Sequence, residues 1–201
     1  MASETRLIET APGIRLAVEV TGSGPLVILM HGWPELGLSW RHQVGPLAAA
    51  GFTVAVPDMR GYGASSQPRD VAAYDTDALA DDMAAVAAAL GASRWVAVGH
   101  DWGAPVAWRC ALRFPDAVAG VFCLSNPHMP ASPLPFAQAS ERGYPDRFYY
   151  VRYFQQPGMA EAELEADPRA ALKGIFFALS GDAPANEWVK PRPRDSRLLP
   201  G

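Results

Sequence analysis

One ten-residue segment constrains the fold of this chain more than any other: Trp95-Val96-Ala97-Val98-Gly99-His100-Asp101-Trp102-Gly103-Ala104. It begins as a short apolar run, typical of a buried strand, and leads directly into a helix predicted from about Gly103 to Phe114. Glycines stand two residues before and two residues after Asp101, where a tight turn leaves no room for a side chain. The segment predicts a strand, a sharp turn and a helix, with Asp101 raised above the sheet at a helix N-terminus that favours negative charge.

The rest of the first 125 residues alternates between strand and helix patterns. Alternating or continuous apolar runs predict strands at 14–20, 26–30, 52–56, 95–98 and 118–124. Apolar residues recur at helical spacing from Leu79 to Leu90, after capping residues at 75–77 and before a C-cap at Gly91. This alternation predicts an α/β fold whose sheet is mostly parallel and joined by crossover helices, with the strand at 118–124 buried like the others.

The composition changes after Ser125. Residues 126–145 contain five prolines, which is too many for a regular element, and a helix is predicted from Met159 to Leu179. The tail, 191–201, has neither a strand period nor a helix period. We therefore interpret 1–125 as the N-terminal part of a core domain and 126–201 as part of a helical cap domain.

Composition and charge narrow the classes of partner. The formal net charge is -4, so no basic surface favours nucleic acid, and no apolar run reaches the ~18 residues of a membrane span. The N-terminus is polar, unlike a secretory signal. Two cysteines and four scattered histidines form neither a disulfide framework nor a metal-ligand pattern. We expect a cytoplasmic protein that binds no nucleic acid, no membrane and no metal.

The glycine-flanked turn at Asp101 is the context of a nucleophile elbow in α/β hydrolases. Because the central residue is Asp rather than Ser, the chemistry of a serine esterase is excluded. A carboxylate instead attacks an sp³ carbon and forms an alkyl-enzyme ester. The alternative is that Asp101 only caps the helix, as aspartate often does.

A second segment, His31-Gly32-Trp33-Pro34-Glu35, directly follows the strand at 26–30. In α/β hydrolases the loop at this position supplies one backbone N–H of the oxyanion hole, and the residue after the nucleophile supplies the other. By position these donors are Trp33 and Trp102. The alternative is an ordinary turn at the end of a strand.

These motifs together resemble those of soluble epoxide hydrolases of the α/β-hydrolase fold. Gly99-His100-Asp101-Trp102-Gly103 matches the nucleophile motif of that family, and Asp58-Met59-Arg60-Gly61-Tyr62-Gly63-Ala64-Ser65 is similar to its next strand-end loop. The aromatic segment 148–155 resembles the part of the cap that holds one of two ring-opening tyrosines. The resemblance implies that this tyrosine is Tyr150, with Tyr149 and Tyr153 as competing positions.

The resemblance implies an enzyme that needs no cofactor and opens a small apolar epoxide to a diol. The acid, the histidine, the second tyrosine and the later strands of the family have no counterpart here, so we expect a chain truncated within the cap. Its open sheet edge is expected to permit self-association. One alternative is a haloalkane dehalogenase, in which Asn often takes the position of Trp33. Another is a non-enzymatic truncated remnant.

Overall fold

The computed structural model describes residues 3–130, 132–184 and 190–199. It divides into two compact units, Met1–Met129 and Pro130–Gly201. The first unit contains the strands, and the second is helical. Each unit is described below by itself.

A six-stranded sheet organises the first unit, with the strand order β1-β2-β4-β3-β5-β6. The strands are β1 (Ser3–Ala11), β2 (Ile14–Gly22), β3 (Leu26–Met30), β4 (Thr53–Pro57), β5 (Trp95–His100) and β6 (Val118–Leu124). Strands β4, β3, β5 and β6 run parallel, whereas β1 and β2 add antiparallel at one edge. All five residues of β3 are buried, because β3 lies inside the sheet and both of its faces are covered.

Three helices cover the two faces of this sheet. They are α1 (Arg41–Ala49), α2 (Thr76–Ala89) and α3 (Gly103–Arg113). Buried residues of α2 and α3 belong to one apolar cluster with Ile28 and Met30 of β3. Ala48 of α1 belongs to a second cluster with Val27 and Leu29. Alternate residues of one strand therefore enter two cores, as the two-residue period of a strand requires.

The strands predicted from the sequence are all present, and so are the helix predicted over 79–90, which is α2, and the helix predicted after Asp101, which is α3. The side chain of Asp75 accepts a hydrogen bond from the N–H of Ala78 at 2.7 Å, and Gly91 follows α2 with φ of +73°, as the capping pattern predicted. Strand β1 was not predicted, because its sequence SETRLIETA is largely polar and, as an edge strand, it is largely exposed.

One strand differs from the prediction. Val118–Leu124 was expected to be buried, but β6 alternates between exposed and half-buried residues, and Phe122 is 61% exposed. Among the described residues β6 is paired on one side only, with β5, so its other edge and part of its surface are uncovered. The apolar run in the sequence indicates that this strand favours apolar contacts. It does not indicate whether other residues cover the strand.

A buried ion pair anchors the loop that follows β4. The guanidinium of Arg60 makes two hydrogen bonds to the carboxylate of Asp82 on α2, at 2.9 and 2.7 Å, and a third to the carbonyl oxygen of Ala73. The hydroxyl of Thr10 on β1 also donates to Asp82. Arg60 and Asp82 are 7% and 1% exposed, so little water reaches either charge. Each charge is instead stabilised by the opposite charge of its partner. The pair fastens the loop at 58–66 to α2.

The second unit contains four helices among its described residues, and two of its features differ from the prediction. The helices are α4 (Phe136–Gly143), α5 (Tyr150–Tyr153), α6 (Met159–Leu164) and α7 (Pro168–Leu179). The proline-rich stretch was expected to be irregular, yet α4 follows its last clustered proline, Pro135, which precedes the helix and does not interrupt it. The single helix predicted at 159–179 is two helices, because Asp167 caps a new helix that starts at Pro168.

Candidate active site

Asp101 occupies a turn with an unusual backbone between β5 and α3. Its φ of +49° is in the left-handed region, which non-glycine residues seldom adopt. A Cβ on Gly99 would lie 2.3 Å from the carbonyl oxygen of Gly103, and a Cβ on Gly103 would lie 2.2 Å from the carbonyl oxygen of Met30. Both obstacles are backbone atoms, so both glycines are required for β5, α3 and the end of β3 to approach this closely.

The loop after β3 contacts the carboxylate of Asp101. The backbone N–H of Trp33 donates a hydrogen bond to Oδ1 of Asp101 at 2.9 Å. A Cβ on Gly32 would lie 2.5 Å from that same oxygen, so this position also needs glycine. The Trp33–Pro34 peptide bond is cis. One carboxylate oxygen, Oδ1, is thus held by a backbone donor.

The side chain of His31 fixes the position of this loop through hydrogen bonds. It is 2% exposed, its Nε2 accepts the N–H of Met59 at 2.9 Å, and its Nδ1 lies 2.9 Å from the carbonyl oxygen of Gly32. Because Nε2 accepts, Nδ1 carries the proton and donates it to Gly32. Burial lowers the pKa of His31 below its ordinary value, so the ring is neutral near pH 7. Both nitrogens are engaged, and His31 therefore holds the loop and does not act as a base.

Asp58 links the same loop to the loop after β4. Its carboxylate accepts the N–H of Gly37 at 3.0 Å and the N–H of Ala64 at 3.2 Å. Its backbone carbonyl accepts the hydroxyl of Ser65 at 2.6 Å. The segment 58–65, which the sequence presented as a motif without a role, therefore braces the residues that reach Asp101.

His100, the residue before Asp101, forms a pair with Glu35 that was not predicted from the sequence. Nδ1 of His100 lies 3.0 Å from Oε2 of Glu35, which joins the residue before Asp101 to the end of the loop after β3. Trp102, the residue after Asp101, precedes α3 with helical dihedral angles and is 47% exposed. Its indole therefore contributes little to the core.

Tyr62 lies beside the elbow as well. Its ring meets that of His31 edge to face, with 4.9 Å between centroids. Burial, and then the charge of Asp101, raise the pKa of Tyr62 to about 12, so its hydroxyl stays protonated. No catalytic role for Tyr62 was predicted from the sequence.

Asn126 was also missed. Its side-chain Nδ2 donates to the backbone carbonyl oxygen of Asp101 at 2.8 Å. A signal was present, since Asn126 comes just after β6 and the carboxyl ends of neighbouring parallel strands meet at one edge of a sheet. Nothing in the residues around it distinguished this asparagine from an ordinary turn residue.

The tyrosines proposed for the cap lie in the second unit. Tyr150 begins α5, and its ring meets those of Tyr149 and Phe154 edge to face. The hydroxyl of Tyr153 donates to Glu163 at 2.7 Å, which gives Tyr153 a structural task. Tyr149 stacks on Tyr144 with 4.4 Å between centroids.

The surroundings of the two remaining histidines, His42 and His128, differ from each other. His42 is exposed on α1, and the ring of His128 packs against Trp108 with 5.2 Å between centroids. Across residues 3–130, 132–184 and 190–199, no group of three or more His, Cys, Asp or Glu side chains could hold a metal ion. Within the same ranges no helix is long and apolar enough to cross a bilayer.

Comparison with known proteins identifies the class. The sequence profile of the alpha/beta hydrolase fold family matches residues 25–201. The chain therefore belongs to the α/β-hydrolase-fold family, and the predicted fold is confirmed.

The relatives within that family are epoxide hydrolases, so the resemblance drawn from the motifs is also confirmed. Epoxide hydrolase A of Mycobacterium tuberculosis is 46% identical over 180 residues, which are 89% of this chain and 56% of that protein. Bifunctional epoxide hydrolase 2 of Sus scrofa is 44% identical over 83% of this chain and 30% of its own length. The chain thus spans about half or less of these two curated relatives.

Solved structures agree. The crystal structure of epoxide hydrolase A from Mycobacterium thermoresistibile superposes with a TM-score of 0.90 at 40% identity, covering 99% of this chain and 64% of that one. An epoxide hydrolase from an endophytic Streptomyces gives a TM-score of 0.92 at 41% identity, covering 98% and 61%.

The buried, neutral His31 predicts a pH dependence of stability. Since its pKa is lowered in the folded state, the unfolded state takes up a proton first as the pH falls below about 6.5. The stabilisation is complete above that pH and is lost below it, by at most about 1.4 kcal/mol between pH 7.5 and 5.5. Urea unfolding across this range should show that loss in the wild type and a flatter profile in His31→Gln. His42→Gln, at an exposed position, should retain the wild-type profile, and parallel profiles for wild type and His31→Gln would contradict the assignment.

Proposed function

We propose that the protein is an epoxide hydrolase that opens an epoxide to a diol through an ester on Asp101. The observation that supports this most is an aspartate at the elbow, with Oδ1 held by the N–H of Trp33 at 2.9 Å. The names of the relatives point to the same reaction. In this proposal the second unit is part of the cap domain, the substrate is small and apolar, and no cofactor takes part.

The first half-reaction needs an ionised carboxylate and a proton for the leaving oxygen. Carboxylates are ionised near pH 7, so attack requires no base. With Oδ1 held by Trp33, Oδ2 forms the bond to an epoxide carbon while the carbon–oxygen bond of the ring breaks. The released oxygen takes a proton from the phenol of Tyr150, which is a general acid in this scheme.

The second half-reaction hydrolyses the ester. Water attacks Cγ of Asp101, negative charge develops on Oδ1, and the N–H groups of Trp33 and Trp102 stabilise that charge. The bond from Cγ to the ester oxygen then breaks, and the diol leaves with a proton. This step needs a base for the attacking water, but both ring nitrogens of His31 are engaged, and Nδ1 of His100 faces Glu35. We therefore propose that this chain carries out the first half-reaction and not repeated turnover.

We also propose a cytoplasmic location. Cys110 and Cys123 are free thiols, and Cys110 is buried, where burial raises its pKa to about 12. Such thiols suit a reducing compartment.

The nucleophile is tested by covalent capture. Incubated with styrene oxide, the chain should gain the mass of one epoxide, mapping to the peptide that contains Asp101, with no diol beyond one equivalent. Asp101→Asn should abolish the gain, because an amide is a far weaker nucleophile, while Asp116→Asn removes an exposed carboxylate and should leave it intact. Intact-mass spectrometry measures both. Labelling of Asp101→Asn at the wild-type rate would exclude Asp101, and many turnovers by the wild type would require a base, with His128 the first to test.

The ring-opening acid and the substrate class are tested together. Tyr150→Phe should slow labelling by about 10²–10⁴-fold, the usual contribution of general acid catalysis, whereas Tyr149→Phe should change it little. The wild type should react faster with styrene oxide than it releases bromide from 1-bromobutane. Faster bromide release would favour the dehalogenase, and equal effects of the two tyrosine variants would remove the special role of Tyr150.

The edge of β6 supports a proposal of self-association. In the part of the chain that the structure describes, β6 pairs with β5 alone and Phe122 is exposed on it, an arrangement that invites pairing with another copy. Light scattering should find species larger than a monomer, and Phe122→Lys should shift them towards the monomer because charge blunts an edge strand. Val71→Lys, at another exposed apolar position, should not. A monodisperse wild-type monomer would contradict the proposal.

A further inference from the structure

Asn126 holds the backbone at the nucleophile and not its side chain. Nδ2 of Asn126 donates to the carbonyl oxygen of Asp101 at 2.8 Å, and the N–H of Ala104 donates to the same oxygen at 3.1 Å. The first donor comes from the end of β6 and the second from the first turn of α3. The direction of this carbonyl is therefore fixed from two separate elements.

That carbonyl shares a peptide unit with the N–H of Trp102. A trans peptide is planar, and its C=O and N–H point in opposite directions. Whatever fixes the carbonyl of Asp101 therefore also fixes the direction of the N–H of Trp102. This N–H is the second donor of the oxyanion hole in the function proposed above.

The backbone before Asn126 is also specialised. Ser125 has φ of +69°, and among the described residues only Asp101 shares with it a positive φ at a non-glycine position. The hydroxyl of Ser125 donates to the carbonyl of Leu124 at 2.6 Å. The left-handed turn at Ser125 redirects the chain as it leaves β6 and carries the amide of Asn126 to the elbow.

We propose that Asn126 is a positioning residue that aims the N–H of Trp102 at the oxyanion formed during hydrolysis of the Asp101 ester. The inference rests on the proposed function. It adds that Asn126 affects hydrolysis of the ester and not its formation. Alkylation lowers the negative charge of the carboxylate, so the alkylation step gains little from an additional donor to Oδ1. Attack on Cγ creates a full charge on Oδ1, so the second step depends on that donor.

The experiment separates the two steps. The wild type, Asn126→Ala and Asn126→Asp are labelled with styrene oxide over a range of concentrations, which gives a saturation constant and a labelling rate. Excess epoxide is then removed, and loss of the added mass is followed at pH 9, where hydroxide can attack without a general base. Asn126→Asp is isosteric, but an ionised carboxylate cannot donate to a carbonyl.

Both variants should label with rates and saturation constants within a few-fold of wild type. Their esters should decay about ten- to a hundredfold more slowly, because a misaligned donor loses part of the roughly 10²–10³-fold that one oxyanion donor supplies. Gln43→Ala serves as the control and should retain both wild-type rates, since it removes a side-chain amide at an exposed position of α1. Thermal melts of all proteins show which variants are folded.

The outcomes distinguish this inference from the function on which it rests. If the wild type is not labelled, or Asp101→Asn is labelled equally, the proposed function fails and the role of Asn126 fails with it. If the wild type is labelled at Asp101 and the esters of both folded Asn126 variants decay at the wild-type rate, only the role of Asn126 is overturned. Equal slowing of labelling and decay would also overturn it, because that result indicates general distortion of the elbow.

Discussion

The close approach of three backbone segments around Asp101 is the constraint on which the site depends. The ends of β3 and β5 and the start of α3 meet around Gly99 and Gly103. A Cβ added at either position would lie within 2.3 Å of a backbone oxygen. Only glycine permits this contact. Because the segments are so close, the left-handed turn at Asp101 presents its carboxylate to the N–H of Trp33.

A second layer, built from the loop after β4, keeps that arrangement rigid. Met59 donates to His31, Asp58 receives the N–H of Gly37, and Arg60 pairs with the buried Asp82. Buried polar groups are costly unless they are paired, so each of these contacts is a strong requirement on the geometry of the loop. The consequence is a chain of support that runs from α2 through residues 58–65 to the loop that contacts Asp101.

Much of the elbow could be predicted from the sequence because its determinants are local. Gly99, Asp101 and Gly103 lie within five residues, and the conformation they require follows from the steric limits of single residues. The interior strands were equally accessible, since strands buried on both faces are apolar throughout. Strand β1 escaped prediction because a polar edge strand is stabilised by its pairing with β2 and not by its own pattern.

The sequence by itself determined the class of the fold, the sharp turn at Asp101 and the loop that contacts it, because glycine requirements and apolar periodicity act over a few residues. Only the tertiary structure decided which distant side chains support these features. Asn126 lies 25 residues from Asp101 along the chain, and Glu35 lies 65 residues from His100. Their contacts exist because parallel strands bring their carboxyl ends to one edge of the sheet, and a hydrogen bond between remote residues leaves no periodic trace in the sequence.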